Sequence, residues 1–419
     1  MDVLIHPNYI KGQLTPPPSK SYLHRAIIAA SLASGKSVIK NILIGDDIQQ
    51  TIEAFRSLGV KIEYLDNQLI IESTGKFNFN DNHAIYCHES GSTLRFLMPL
   101  LTNEKGVEFH GQKSLLSRPL DLYEKIFSNQ NVAFVRFDNY IYTEGKIKAS
   151  TYHIKDDTSS QYVSGLLFSL PRLNGDSEII IKENFESRKY IDMTIYMLKQ
   201  FGIKIETITN NHFLIPGNQL YKASEIDIES DYSQAAFFVV GALLNGDVTI
   251  KNLNINSLQP DKKIIDILLE NHANIDVFQD SIRVKKSLID IQNIDLSQTI
   301  DLGPILFLLA TQSKSKTSII HINRLIHKES NRLENMIDIL KILKVKYNLL
   351  DDQIIVYHQN IIDIKDISSY NDHRIAMALA ILSIVSKTPT IIRQMEVINK
   401  SYPTFLNDLE NLGIKIEYL

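Results

Sequence analysis

A hydrophobic–polar–hydrophobic signature that recurs six times at a period near seventy constrains this chain more than any other feature. The copies are Val60-Lys61-Ile62, Val132-Ala133-Phe134, Ile203-Lys204-Ile205, Ile275-Asp276-Val277, Val345-Lys346-Tyr347 and Ile414-Lys415-Ile416, with first residues 72, 71, 72, 70 and 69 apart. A fixed period of this kind marks one supersecondary unit that buries its apolar face only against further copies of itself.

The first copy shows the grammar. Residues 21–34 carry Ala26, Ile27, Ala30 and Leu32 at helical spacing, and Gly35 is expected just past the helix end. Residues 37–42 alternate as a strand. Asp46-Asp47 is expected to cap a second helix with the stripe Ile48, Ile52, Phe55 and Leu58, stopped by Gly59. Two short strands follow, 61–64 and 68–72. The outline is β-α-β-α-β-β, an α/β unit, and three copies per domain would give two similar globules. No low-complexity linker separates them. The expected crossings are Thr15-Pro16-Pro17-Pro18, where proline cannot continue a ladder, and residues 225–229.

The apolar helix of each copy is preceded by a polar cap: Lys20-Ser21, Ser90-Gly91-Ser92, Ser159-Ser160-Gln161, Asp231-Tyr232-Ser233, Asp301 and Asn371-Asp372. Helix starts carry unpaired N–H groups and partial positive charge, so several of them converging between two globules would make an anion site. The plainer alternative is that each cap only prevents fraying.

Composition excludes several classes. The net charge of −4 does not suggest a nucleic-acid partner. The single cysteine, Cys87, allows neither an internal disulfide nor a cysteine-based metal cluster. No apolar run approaches the roughly 18 residues that span a bilayer, and the first residues lack signal-peptide character. A cytoplasmic protein without membrane contact is expected. His-x-x-x-His, Walker and dinucleotide-fold glycine patterns are all missing, so no metal and no cofactor is expected.

Cations cluster instead around the caps. Lys20 and Arg25 stand one turn apart at a helix start. Gly91 lets a backbone approach a ligand closely, and Arg95 follows it. Arg118-Pro119 follows a polar loop. Ser159, Ser160 and Gln161 offer two hydroxyls and an amide, and Ser187 adds a third hydroxyl. Lys328 and Arg332 are expected four apart on one helical face, with Glu329 alongside. Asn371-Asp372-His373-Arg374 opens a helix too apolar for such residues unless they serve a cap or a ligand. With Lys400, these groups suit a substrate bearing several negative charges, with Asp301 and Glu329 as acid–base groups. Each has a bland reading as a cap, a turn or a solvated face. Cys87 reads as a structural thiol, because no His–Asp pair stands near it.

Four motifs carry a resemblance to the enolpyruvyl transferases, in particular their shikimate-pathway branch: Lys20-Ser21-x-x-His24-Arg25, Ser159-Ser160-Gln161, Lys328-Glu329-x-x-Arg332 and Asn371-Asp372-His373-Arg374. The resemblance runs from Lys11-Gly12 to Leu412-Gly413. It implies two domains of the inside-out α/β barrel type with pseudo-threefold symmetry, 18–227 and 1–17 plus 228–419, with the active site in the cleft between them. It implies no metal, no cofactor and a monomer whose partners are phosphoenolpyruvate and shikimate 3-phosphate.

It also implies roles. Lys20, Ser21, Arg25, Ser159, Ser160, Gln161, Ser187, Asp301 and Lys328 would bind shikimate 3-phosphate. Lys20, Gly91, Arg118, Gln161, Arg332, Arg374 and Lys400 would bind phosphoenolpyruvate. Asp301, Glu329 and Lys20 would move protons. Two places depart from the family pattern. The usual Gly-Asn-Ala-Gly-Thr loop is His88-Glu89-Ser90-Gly91-Ser92 here, which is expected to crowd the phosphoenolpyruvate pocket through the Ser90 hydroxyl. Ile326-His327 replaces an Arg-Val pair before Lys328. The sister enzyme acting on UDP-N-acetylglucosamine is the nearest rival, but its loop cysteine is Lys113 here and its Lys-Asn is Lys20-Ser21. A non-catalytic two-lobed metabolite binder is the rival of another class, and carboxylates in an anion cleft would not serve it.

Overall fold

The structure is a computed structural model that describes residues 1–419 apart from 156–158, 183–184, 186 and 360–362. Among the described residues the chain forms six four-stranded sheets of one design. In the second repeat the strand His83–His88 pairs in parallel with Val107–Gly111, which pairs antiparallel with Tyr140–Glu144, and Ala133–Arg136 closes the sheet. The parallel pair is joined by the buried helix Gly91–Leu100, because a parallel connection needs a crossover. The outer helix Asp121–Asn129 leads into the final hairpin.

The chain divides into two compact units, Met1–Pro17 with Glu229–Leu419, and Pro18–Ile228. Ile228 falls in the second of these, one residue later than the boundary expected from sequence. Register explains the discontinuous unit. Val3–Ile5 takes the third place in the sheet of Asp366–Ser368, Thr390–Arg393 and Ile416–Tyr418, and Ile10–Leu14 pairs in parallel with Gly246–Lys251. In the other unit Glu225–Asp227 returns to pair in parallel with Ser34–Lys40.

Each unit has its own core. In Pro18–Ile228 it is built on the helices Lys20–Leu32, Gly91–Leu100 and Ser160–Ser169. In the other unit it is built on Tyr232–Asn245, Gly303–Thr311 and His373–Ser383. These helices are apolar on nearly all sides, as interior helices must be. Gly165 permits one close crossing. A Cβ there would lie 2.3 Å from the Tyr123 hydroxyl and 2.4 Å from the Arg95 carbonyl oxygen.

Several local expectations are corrected. The helix Lys20–Leu32 is capped by Ser19, whose hydroxyl accepts from the Tyr22 amide. Gly35, with φ +116°, lies inside the strand Ser34–Lys40 and does not end the helix. Asp46 and Asp47 occupy the first turn of Asp46–Ser57, and its cap is Gly45 with no side-chain bond. Asp301 is not a cap either: it sits in the short turn Ile300–Leu302 before Gly303–Thr311. Lys328 follows the turn Asn323–His327, and the helix begins only at Arg332, so the two do not share a helical face.

Candidate active site

In the unit Pro18–Ile228 two clusters of expected site residues form. The first lies at the start of Lys20–Leu32. The Lys20 ammonium is 2.8 Å from the Asp47 carboxylate. Arg25, buried one turn on, donates to the Thr194 hydroxyl at 2.8 Å, the Ser21 carbonyl at 2.7 Å and the Tyr190 carbonyl at 3.1 Å. Burial lowers the Arg25 guanidinium to about 10, with Tyr190 and Tyr22 opposing, so it stays charged at neutral pH. Its fixed geometry suits a planar anion.

The second cluster surrounds Gly91. A Cβ on Gly91 would stand 2.9 Å from Arg118 Nη1, 3.3 Å from Arg95 Nη1 and 3.8 Å from Gln161 Oε1. Two guanidinium groups and an amide therefore lie directly over a backbone that only glycine leaves clear. Arg95 donates to Gln161 Oε1 at 2.8 Å, and Gln161 in turn donates to the Ser92 hydroxyl at 3.1 Å. Ser159 caps the helix Ser160–Ser169 by accepting from the Gln161 amide, which places Ser159, Ser160 and Gln161 at one helix start. Ser187 is buried at the start of Arg188–Gln200 in the left-handed conformation, φ +58°.

The crowding expected from Ser90 is not what the hydroxyl does. It is buried, caps its own helix by accepting from the Thr93 amide, and bonds the Thr93 hydroxyl at 2.7 Å. Cys87 is fully buried, and burial pushes its thiol up, which suits a core residue and not a nucleophile.

In the other unit an ion cluster gathers charged residues from two repeats, with a hydroxyl from a third. Asp301 lies 3.2 Å from Lys328 Nζ, 3.3 Å from Arg332 Nη1 and 3.4 Å from Arg374 Nη2. Arg332 is fully buried. It also holds Glu329 at 2.6 Å and Asp372 at 2.7 Å through Nε and 3.3 Å through Nη2. These contacts occupy most of its five N–H donors. Asp372 does double duty, capping His373–Ser383 through the Arg374 and Ile375 amides while accepting from Ser330. Arg374 reaches the Ser233 hydroxyl at 3.2 Å. Lys400 is buried at the end of the turn Met395–Lys400.

Burial alone would raise the Asp301 carboxyl. Arg374, Lys328 and Arg332 outweigh that, against Glu329, and hold it well below the usual carboxylate range. Burial lowers the Lys328 ammonium, with Asp301 opposing. Burial would lower Arg332 too, but Asp372, Glu329 and Asp301 raise it. A carboxylate so stabilised is a weak base until its cations find other anions.

Sequence reading missed Asp47, Asp372, Ser233 and Thr194 as partners of the cations. Asp372 had a signal, since it stands inside a dense polar motif expected to serve a cap or a ligand, but nothing in that motif points to Arg332 as its partner. Thr194 lies 169 residues from Arg25 and carries none. Among the described residues no group of three or more His, Cys, Asp or Glu is placed to hold a metal ion, and no helix is long and apolar enough to cross a membrane.

Repeated mixed sheets around buried helices, with cations and carboxylates at the helix starts, define an enolpyruvyl-transferase fold. The enolpyruvyl transferase NikO from Streptomyces tendae shares it with a TM-score of 0.80 over 100% of this chain and 98% of its own, and at 16% identity that likeness is one of fold alone. The chain belongs to the EPSP synthase (3-phosphoshikimate 1-carboxyvinyltransferase) family, whose model matches residues 5–409. A 3-phosphoshikimate 1-carboxyvinyltransferase of Clostridium novyi is 42% identical over 98% of this chain and 97% of its own length. The structure of EPSP synthase from Acinetobacter baumannii matches with a TM-score of 0.82 at 26% identity, covering 100% of both chains.

Proposed function

We propose that the protein transfers the enolpyruvyl group of phosphoenolpyruvate to the 5-hydroxyl of shikimate 3-phosphate and releases phosphate. Family membership supports the reaction. The observation that carries the chemistry is Asp301, a carboxylate held among Lys328, Arg332 and Arg374 with Glu329 on the same arginine. An anion binder would gain nothing from two acids among its cations.

In this reading one reaction draws on residues of both units. Ser21 and Arg25 hold the shikimate carboxylate, and Ser159, Ser160, Ser187 and Lys328 hold its phosphate, with Gln161 alongside. Lys20, Arg118 and Lys400 take the phosphate of phosphoenolpyruvate. Arg332 and Arg374 take its carboxylate, beside Gly91 and Gln161. Glu329 gives a proton to the methylene carbon. The 5-hydroxyl oxygen attacks the adjacent carbon and its proton passes to Asp301. The resulting ketal phosphate then loses phosphate as the new methyl group gives up a proton, which restores the enol ether.

The ion cluster supports a link between binding and reaction. Substrate anions that draw Lys328, Arg332 and Arg374 away from Asp301 would remove the charges that hold its proton affinity down, so binding raises the basicity of the group that must accept the proton. The protein is further read as a monomer of the cytoplasm that contacts neither nucleic acid nor membrane. The deciding experiment is phosphate release from phosphoenolpyruvate with shikimate 3-phosphate or UDP-N-acetylglucosamine as acceptor. Turnover with the second acceptor alone would overturn the assignment, and turnover with neither would favour a binding protein.

A further inference from the structure

A line of buried polar groups runs between the two clusters of the unit Pro18–Ile228, and none of its members has a role in the reaction above. His24 Nδ1 bonds the Thr51 hydroxyl at 2.8 Å, Thr51 bonds the Thr93 hydroxyl at 2.8 Å, and Thr93 bonds the Ser90 hydroxyl at 2.7 Å. All four residues are buried. His24 sits one turn past Lys20 on Lys20–Leu32, and Ser90 immediately precedes Gly91. The middle element is the helix Asp46–Ser57, which places no residue on a substrate in the proposed site. It nevertheless touches the first helix twice at matched spacing: Asp47 meets Lys20 and Thr51, one turn on, meets His24.

We infer that the helix Asp46–Ser57 is a crossbar that sets the Gly91 loop against Lys20 through the relay His24–Thr51–Thr93–Ser90. These four are positioning residues for phosphoenolpyruvate, and the inference rests on the proposed assignment of Gly91, Arg118 and Lys20 to that substrate. Three observations make the relay a device of geometry. His24 Nε2 is buried with no partner among the described residues, so the ring meets this network through Nδ1 alone. Burial lowers the His24 imidazole to about 3, against Asp47, so the ring is neutral at working pH and supplies direction rather than charge. The Ser90 hydroxyl both caps Gly91–Leu100 and ends the relay, so the pitch of the loop under Arg118 and Arg95 follows from where Thr93 is held. A buried hydroxyl that loses its partner costs far more than the bond itself contributes, so the line should respond as a unit.

The test compares Thr51→Val, which keeps the shape and removes the hydroxyl, with Thr51→Ser, which keeps the hydroxyl, and with Ser90→Ala. Arg118→Ala serves as the control for the loop assignment. Steady-state kinetics of the full chain should show the phosphoenolpyruvate KM raised about tenfold by Thr51→Val and by Ser90→Ala, with kcat and the shikimate 3-phosphate KM changed less than about threefold. Thr51→Ser should restore the parent KM, and the double variant Thr51→Val/Ser90→Ala should be no worse than either single one. If Arg118→Ala raises the phosphoenolpyruvate KM while Thr51→Val and Ser90→Ala leave it unchanged, the relay inference is overturned and the site stands. If Arg118→Ala leaves it unchanged, the site assignment falls and the inference with it. An equal rise in both KM values, or failure of Thr51→Ser to rescue, would show a purely structural role and overturn the inference. Should Thr51→Val not fold, Ser90→Ala and Thr51→Ser decide the matter.

Discussion

Replacing Asp301 by Asn keeps the side-chain shape and removes the one charge that Lys328, Arg332 and Arg374 share. The three N–O separations are 3.2, 3.3 and 3.4 Å. At an effective dielectric constant of about 20, each corresponds to on the order of 5 kcal/mol of attraction before desolvation is subtracted. Lys328 and Arg374 then lose a competing anion while Arg332 stays on Glu329 and Asp372, so the Kd for shikimate 3-phosphate should stay level or tighten. The proton acceptor for the 5-hydroxyl is lost, and such groups contribute roughly 10²- to 10⁴-fold in rate, or about 3–5 kcal/mol of barrier. Calorimetric titration with shikimate 3-phosphate reads the first quantity and a phosphate-release assay the second. A variant that kept kcat within about threefold while binding more than about tenfold weaker would refute the argument, because Asp301 would then be a positioning group. The substitution also has an acid signature. The folded pKa of Asp301 lies below its unfolded value of about 3.9, so its stabilisation is present above that pH and is lost as pH falls through the folded value. Urea midpoints of the parent should drop more steeply below about pH 4 than those of Asp301→Asn, and equal slopes would contradict the ion cluster.

Other perturbations test single contacts. Gly91→Ala places a Cβ 2.9 Å from Arg118 Nη1 and 3.3 Å from Arg95 Nη1, both ends of flexible side chains. The protein should therefore fold normally with the phosphoenolpyruvate KM raised about tenfold, and an unchanged KM would place that substrate elsewhere. Asp372→Ala leaves the fully buried Arg332 without its two-point partner, and should cost about 3–5 kcal/mol in urea unfolding. A loss under about 1 kcal/mol would mean Glu329 and Asp301 suffice. Gly165→Ala sets a Cβ 2.3 Å from the Tyr123 hydroxyl and 2.4 Å from the rigid Arg95 carbonyl. Overpacking there should cost at least about 1–3 kcal/mol, measured as a lower Tm, and a neutral result would show that the helix crossing relaxes freely.

Much of the fold was legible in the chain because its signals are local. The six-fold period, the alternation of short strands and the largely apolar helices each depend on neighbours within one unit, so they survive in the sequence as patterns. The caps Ser90, Ser159, Asp231 and Asp372 were readable for the same reason. The site was legible as a set of residue types: Lys20, Arg25, Lys328, Glu329, Arg332 and Arg374 stand in short dense motifs. Their partners were not. Arg332 finds Asp372 40 residues away, Arg374 meets Asp301 73 residues away, and Arg25 meets Thr194 169 residues away. Nor could spacing show that Lys328 and Arg332 reach Asp301 from a turn and a separate helix start, or that the Ser90 hydroxyl folds back onto Thr93. A cap is decided by backbone within one turn, whereas an ion pair is decided by which buried charge has no nearer way to be neutralised once the repeats have stacked, and only the tertiary structure makes that choice.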